Sequence, residues 1–68
     1  MMGEPITLDY PLRVLFAPGM EQVLIAPAGA EVFMDEFDVQ WIKFLAANGP
    51  HAGRQHIIRT EGIVIVRD

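Results

Sequence analysis

Prolines and glycines at Pro11, Pro18-Gly19, Pro27, Gly29, Gly49-Pro50, Gly53 and Gly62 cut this chain into short segments, and that punctuation limits what it can fold into. Proline presets φ and glycine accepts a positive one, so Ala17-Pro18-Gly19 and Pro27-Ala28-Gly29 read as turns. Ile6, Leu8 and Tyr10 alternate with Thr7 and Asp9, the period-two pattern of a half-buried strand, which Pro11 interrupts. Leu12 to Phe16, Gln22 to Ala26 and Ala30 to Met34 follow as strand candidates. Phe16-Ala17-Pro18 is loosely echoed by Ile25-Ala26-Pro27 at a spacing of one short strand plus one turn, which indicates a β-meander.

The central segment reads differently. Asp35 is placed to cap a helix, Glu36 and Asp38 fall in its first turn where the helix dipole favours carboxylates, and Asn48-Gly49-Pro50 is a stop. The expectation is a three-turn helix over residues 36–47, with Phe37, Trp41, Ile42, Phe44 and Leu45 on one face as the core anchor and Glu36, Gln40 and Lys43 on the other. Beyond a loop at 48–53, Arg54 to Arg59 and Ile63 to Arg67 read as a β-hairpin turning at Glu61-Gly62. That register sets Ile58 against Ile65 and Ile57 against Val66, so both faces of the hairpin are apolar. The predicted fold is α+β: a single domain, residues 1–68, with a small antiparallel sheet and one central helix. A small SH3-like or split barrel is the alternative architecture.

Composition then narrows the function. Apolar residues make up 51% of a chain of only 68 residues, and there is no Cys, so neither a disulfide nor a thiolate metal site can stabilise it. A domain this small gains little from its own core, and association is the remaining stabilising device. No apolar run approaches the roughly 20 residues that span a bilayer. The first residues carry neither the basic region nor the apolar stretch of a signal peptide, so a cytoplasmic location is expected.

The formal net charge is −4, which opposes the phosphate backbone and disfavours nucleic acid as a partner. It is unevenly spread. Residues 1–42 hold seven acids and Arg13 alone, while residues 43–68 hold Lys43, Arg54, Arg59 and Arg67 against Glu61 and Asp68. The two regions can pair internally or bring copies together.

Catalytic chemistry finds little support. With no Ser and no Cys, a nucleophilic triad is excluded. Asp35, Glu36 and Asp38 with Glu31 form an acidic group that a helix start explains without acid–base catalysis. His51 and His56 match no metal signature, and the loop at 49–54 lacks the spacing of a phosphate cradle. No catalytic residue, metal or cofactor is expected.

Three functional readings follow. The first is a non-enzymatic protein–protein interaction or assembly module, self-associating, whose interface uses Ile57, Ile58, Ile63, Val64, Ile65, Val66 and the turn residue Met20. Short, acidic, Cys-free chains rich in apolar residues are familiar among phage and mobile-element products, which would make this a structural component and its location the virion. The second is an acidic inhibitor or nucleic-acid mimic presenting Glu31, Asp35, Glu36 and Asp38 to a basic cleft. The third is a small anion- or nucleic-acid-binding module using Arg54, His56 and Arg59.

Overall fold

The computed structural model describes residues 4–16, Gly19 and residues 22–68, and over these the chain is all-β, with no helix among the described residues. The strands are β1 (Ile6–Thr7), β2 (Leu12–Phe16), β3 (Gln22–Ala26), β4 (Glu31–Met34), β5 (Gln40–Leu45), β6 (Gln55–Arg59) and β7 (Ile63–Arg67). They form two antiparallel sheets: sheet A in the order β1-β4-β5-β6, and sheet B in the order β3-β2-β7. One core lies between them. Leu12 and Val14 of β2 and Leu24 and Ala26 of β3 meet Ala30, Ile42, Phe44 and Ala46, all buried, with Phe16, Val32, Ile58, Ile63 and Ile65 packed around them.

The expected α+β class is corrected by residues 35–45. Asp35 Oδ1 accepts the N–H groups of Phe37 and Val39 at 2.8 and 3.0 Å, but these close a hairpin loop and not a first helical turn. Asp38 N–H donates to Asp35 O at 3.1 Å and Asp35 N–H to Val39 O at 2.9 Å. Asp38 itself sits at φ 60°, the left-handed position that completes a three-residue hairpin loop and that no helix can continue through. Capping a helix and closing such a loop use the same side-chain acceptor, so Asp35 alone does not distinguish them. Beyond it, branched and aromatic Val39, Trp41, Ile42 and Phe44 favour the extended chain, and burial follows period two. Ile42, Phe44 and Ala46 face the core while Trp41, Lys43 and Leu45 face away. Phe37, expected in the core, is 77% exposed at the loop tip.

The expected C-terminal hairpin is corrected too. Here β6 pairs with β5 and β7 with β2, so the two strands belong to different sheets. Thr60 holds the junction: its N–H donates to Gln40 O at 3.0 Å and its Oγ1 to Gln40 Oε1 at 3.0 Å, tying the end of β6 to the start of β5. Gly62, at φ 82°, then turns the chain across to the other sheet. Two apolar faces on one predicted hairpin therefore become one core-facing row on each of two strands: Ile58 on β6, and Ile63 and Ile65 on β7.

Candidate functional site

Register defines the face of sheet B that looks away from the core. Leu15 lies between Val23 and Val64, and Arg13 between Ile25 and Val66. Five of these six positions are apolar. None of the five belongs to the buried core, and Val64 and Val66 remain 41% and 42% exposed. The single charge is tied down, since Arg13 Nε donates to Asp68 Oδ1 at 3.0 Å. The inner end of β7 is held as well, with the Arg67 guanidinium 4.1 Å from the centre of the Tyr10 ring.

The edges of sheet B differ. Along β3, Asn48 imitates a neighbouring strand: its Oδ1 accepts Ile25 N–H at 2.7 Å and its Nδ2 donates to Val23 O at 3.0 Å, while Ala47 N–H donates to Ile25 O at 2.9 Å. This edge is closed. Along β7 no described strand follows, and the edge is open.

The outer face of sheet A has another character. Phe33, Trp41 and Arg59 form one row, and Glu31, Lys43 and Ile57 the next. Lys43 Nζ approaches Glu31 Oε1 at 3.6 Å, and Arg59 Nη2 donates to Glu61 Oε2 at 2.9 Å. Trp41 Nε1 donates to Asp35 Oδ2 at 2.9 Å. That bond is the foremost cause holding the Asp35 carboxyl below its ordinary value; the Val39 and Phe37 N–H groups and the Arg59 charge act in the same direction, against some desolvation. Ile57 and Leu45 are exposed here, Ile57 across from Lys43 and Leu45 across from Gln55.

The expected interface residues thus separate. Ile58, Ile63 and Ile65 pack against the core, Val64 and Val66 lie on the outer face of sheet B, and Ile57 lies on that of sheet A. Met20 lies outside the described residues, as do Ala17, Pro18 and Glu21. Of the acidic group, Asp35, Glu36 and Asp38 stay together at the β4–β5 loop, while Glu31 stands at the far end of β4 beside Lys43. An open groove next to that loop is lined by Glu4, Ile6, Met34, Asp35 and Asp38 among others.

Of the basic group, Arg59 lies across from Trp41 on the outer face, while His56 lies across from Phe44 on the inner one. His56 stacks on Phe44 at 5.5 Å between ring centres, with Nδ1 3.0 Å from Arg54 O. The three basic residues therefore do not converge on one surface. Among the described residues, no three His, Asp or Glu side chains come together as a metal site.

Leu15, Val23, Ile25 and Asn48 were not singled out by the sequence. A signal for the first three was present: Val23 and Ile25 alternate with Leu24 and Ala26, so β3 is apolar at both parities, the pattern of a strand with two covered faces. Asn48, read with Gly49-Pro50 as a helix stop, instead bonds the backbone of Ile25 and Val23 on the β3 edge.

No protein-family model matches this chain, and no curated protein or solved structure gives a significant match to it. No helix among the described residues is long and apolar enough to cross a membrane.

Proposed function

We propose that this protein is a non-enzymatic assembly module that associates with further copies of itself through sheet B. The observation that carries the reading is the outer face of that sheet, apolar at five of six positions. Contiguous apolar surface on a small domain is a docking feature more often than an accident of composition. Charge distribution favours a second copy as the occupant. Segments 12–26 and 63–68 contain Arg13 and Arg67 against Glu21 and Asp68 and are neutral, so the entire −4 of the chain belongs to the remaining segments. Two copies can therefore meet at sheet B without opposing their net charges. A cytoplasmic or virion location, and a structural role in a phage or mobile element, belong to the same proposal.

Sedimentation equilibrium at micromolar concentration tests it, with association expected for the natural chain. Val64→Lys combined with Val66→Lys should disperse the assembly, because four lysines would crowd each twofold contact, while Leu45→Lys with Ile57→Lys on sheet A should leave it intact. A natural chain that stays monomeric throughout would remove the reading. The acidic groove beside the β4–β5 loop keeps the inhibitor reading as a second possibility, since Asp35, Glu36 and Asp38 do stand together. A basic partner whose affinity is insensitive to reversal of Glu36 and Asp38 would dispose of it.

A further inference from the structure

We propose that a second copy joins sheet B along β7, two β7 strands pairing antiparallel about a twofold axis at Ile65 so that one sheet runs through both molecules. The proposal rests on sheet B being the contact side and names the contact itself. Ladder parity identifies the free backbone groups. Asp68 N–H donates to Pro11 O at 3.0 Å, so Arg13–Val66 and Leu15–Val64 are the hydrogen-bonded pairs and the backbone groups of Ile63, Ile65 and Arg67 point away from β2. The Asn48 bonds to Val23 and Ile25 give the same parity on the other side of the sheet. Ile63 N–H reaches Thr60 O at 3.4 Å. Among the described residues, the N–H groups of Ile65 and Arg67 and the carbonyls of Ile63, Ile65 and Arg67 meet no backbone partner.

The strand is close to its own complement. With Ile65 opposite Ile65 of the second copy, the two exchange a reciprocal pair of hydrogen bonds, and Arg67 N–H to the carbonyl of Ile63 supplies a further reciprocal pair without disturbing Ile63 N–H. On the outer face Val64 then lies opposite Val66, a branched pair repeated by the symmetry. The row Val23-Leu15-Val64 then continues into Val66-Arg13-Ile25 of the second copy, and the reverse by symmetry, with no charge between Ile63 and Val66 to interrupt the junction.

The other edges are guarded. β1 is two residues long and follows Pro5, which has no N–H to offer; β3 is closed by Asn48; β6 is flanked by Arg54 and Arg59, so two antiparallel copies would bring cationic side chains together.

Amide hydrogen exchange on the full chain, read by NMR over a range of concentrations, tests the pairing. The Ile65 and Arg67 amides should gain protection as the assembly forms, and should exchange as free amides when diluted to monomer. Arg67→Pro removes an outward N–H without touching the β2 ladder and should raise the dissociation constant about tenfold or more. Arg67→Ala, which loses only the Tyr10 stack, and Ile25→Lys, which is on the outer face but away from the edge, should both still associate. Two results overturn the edge contact while leaving self-association standing: unprotected Ile65 and Arg67 amides in samples that sedimentation shows to be associated, or dispersal by Ile25→Lys, which would mean stacking of faces. A natural chain monomeric at every concentration overturns the edge and the self-association reading together.

Discussion

Sheets A and B share one core but turn different surfaces outward. On sheet A the outer positions mix aromatic and aliphatic groups with Glu31, Lys43 and Arg59, and each charge finds an opposite one or an indole nearby. On sheet B the outer positions carry only Arg13 among apolar groups. Segments 12–26 and 63–68, which hold the strands of sheet B, carry no net charge, and the −4 of the chain lies in the remaining segments. A chain this short cannot hide two apolar faces per sheet in a single core, because its surface is large relative to its volume. Some of it must face outward: Ile6, Met34, Leu45 and Ile57 do so on sheet A and Phe37 at its loop tip, while on sheet B Val64 and Val66 do so as part of one apolar face.

The strongest way to break the comparison is to attack what the two sheets have in common. Ile42, on β5 of sheet A, is fully buried and sits where that sheet meets β2 and β3. Ile42→Ala should cost about 2–5 kcal/mol through lost burial and the cavity left behind. Against a total stability on the order of 5–15 kcal/mol, this is the largest single effect expected here. Urea unfolding should show one transition, with signals from Trp41 on sheet A and Tyr10 beside sheet B falling together. Separate midpoints would show that the sheets fold as independent layers and that the shared core is overstated.

That same shared core explains which parts of the fold were readable in the sequence. Strands β2, β3 and β7 were legible at their observed limits because Pro11, Pro18-Gly19, Pro27 and Gly62 bound them and the runs between are rich in branched and other apolar residues. The stretch 36–47 was misread for a specific reason. Asp35 offers its carboxylate to the following N–H groups whether a helix or a hairpin loop comes next, and the apolar spacing of Phe37, Trp41 and Phe44 fits a helical face as well as it fits chance. Only the left-handed Asp38 and the branched, aromatic run after it decide the matter, and the first of these is a backbone property. The hairpin at 60–62 was misread because local turn chemistry says that the chain reverses, and not which neighbour each strand then chooses. Long-range pairing with β2 and β5 settles that, and no window of sequence contains it. For the site, Val64 and Val66 were legible as apolar residues of an expected interface, although set there against Arg59 and Ile57, whereas Leu15, Val23 and Ile25 became part of the surface only once register placed them beside those two.

A smaller effect sharpens the contrast between the two edges of sheet B. Asn48 satisfies Ile25 N–H and Val23 O on the β3 edge. Asn48→Ala leaves both without that partner and should cost about 1–3 kcal/mol, as for other half-buried backbone groups deprived of a hydrogen bond. Asn48→Asp keeps the acceptor for Ile25 N–H but turns an oxygen toward Val23 O, so it should recover only part of the loss. Thermal unfolding of the three proteins measures this order. The alanine variant also opens a second strand edge, and its sedimentation should show association at lower concentration than the natural chain. Equal stability of all three would mean that the β3 edge is as open as the β7 edge and that Asn48 does not distinguish them.

The smallest effect concerns sheet A alone and depends on pH. Asp35 is held below its ordinary 3.8 chiefly by the Trp41 indole N–H, aided by the Val39 and Phe37 N–H groups and by the Arg59 charge from β6. A carboxyl depressed in the folded state stabilises that state fully above its unfolded pKa, and the contribution is lost as pH falls through the folded value. The loop should therefore weaken from just below pH 4 downward, with Trp41 fluorescence changing as its hydrogen-bond acceptor is protonated. In Asp35→Asn the amide oxygen can still accept from the loop but does not titrate, so this fluorescence step should disappear while the fold persists. Sheet B has a carboxylate contact of its own, Arg13 with Asp68, but no tryptophan, so the fluorescence step reports the sheet A loop. A fluorescence step of the same size in the asparagine variant would place its origin in another carboxylate and leave the Asp35–Trp41 bond without a measurable role.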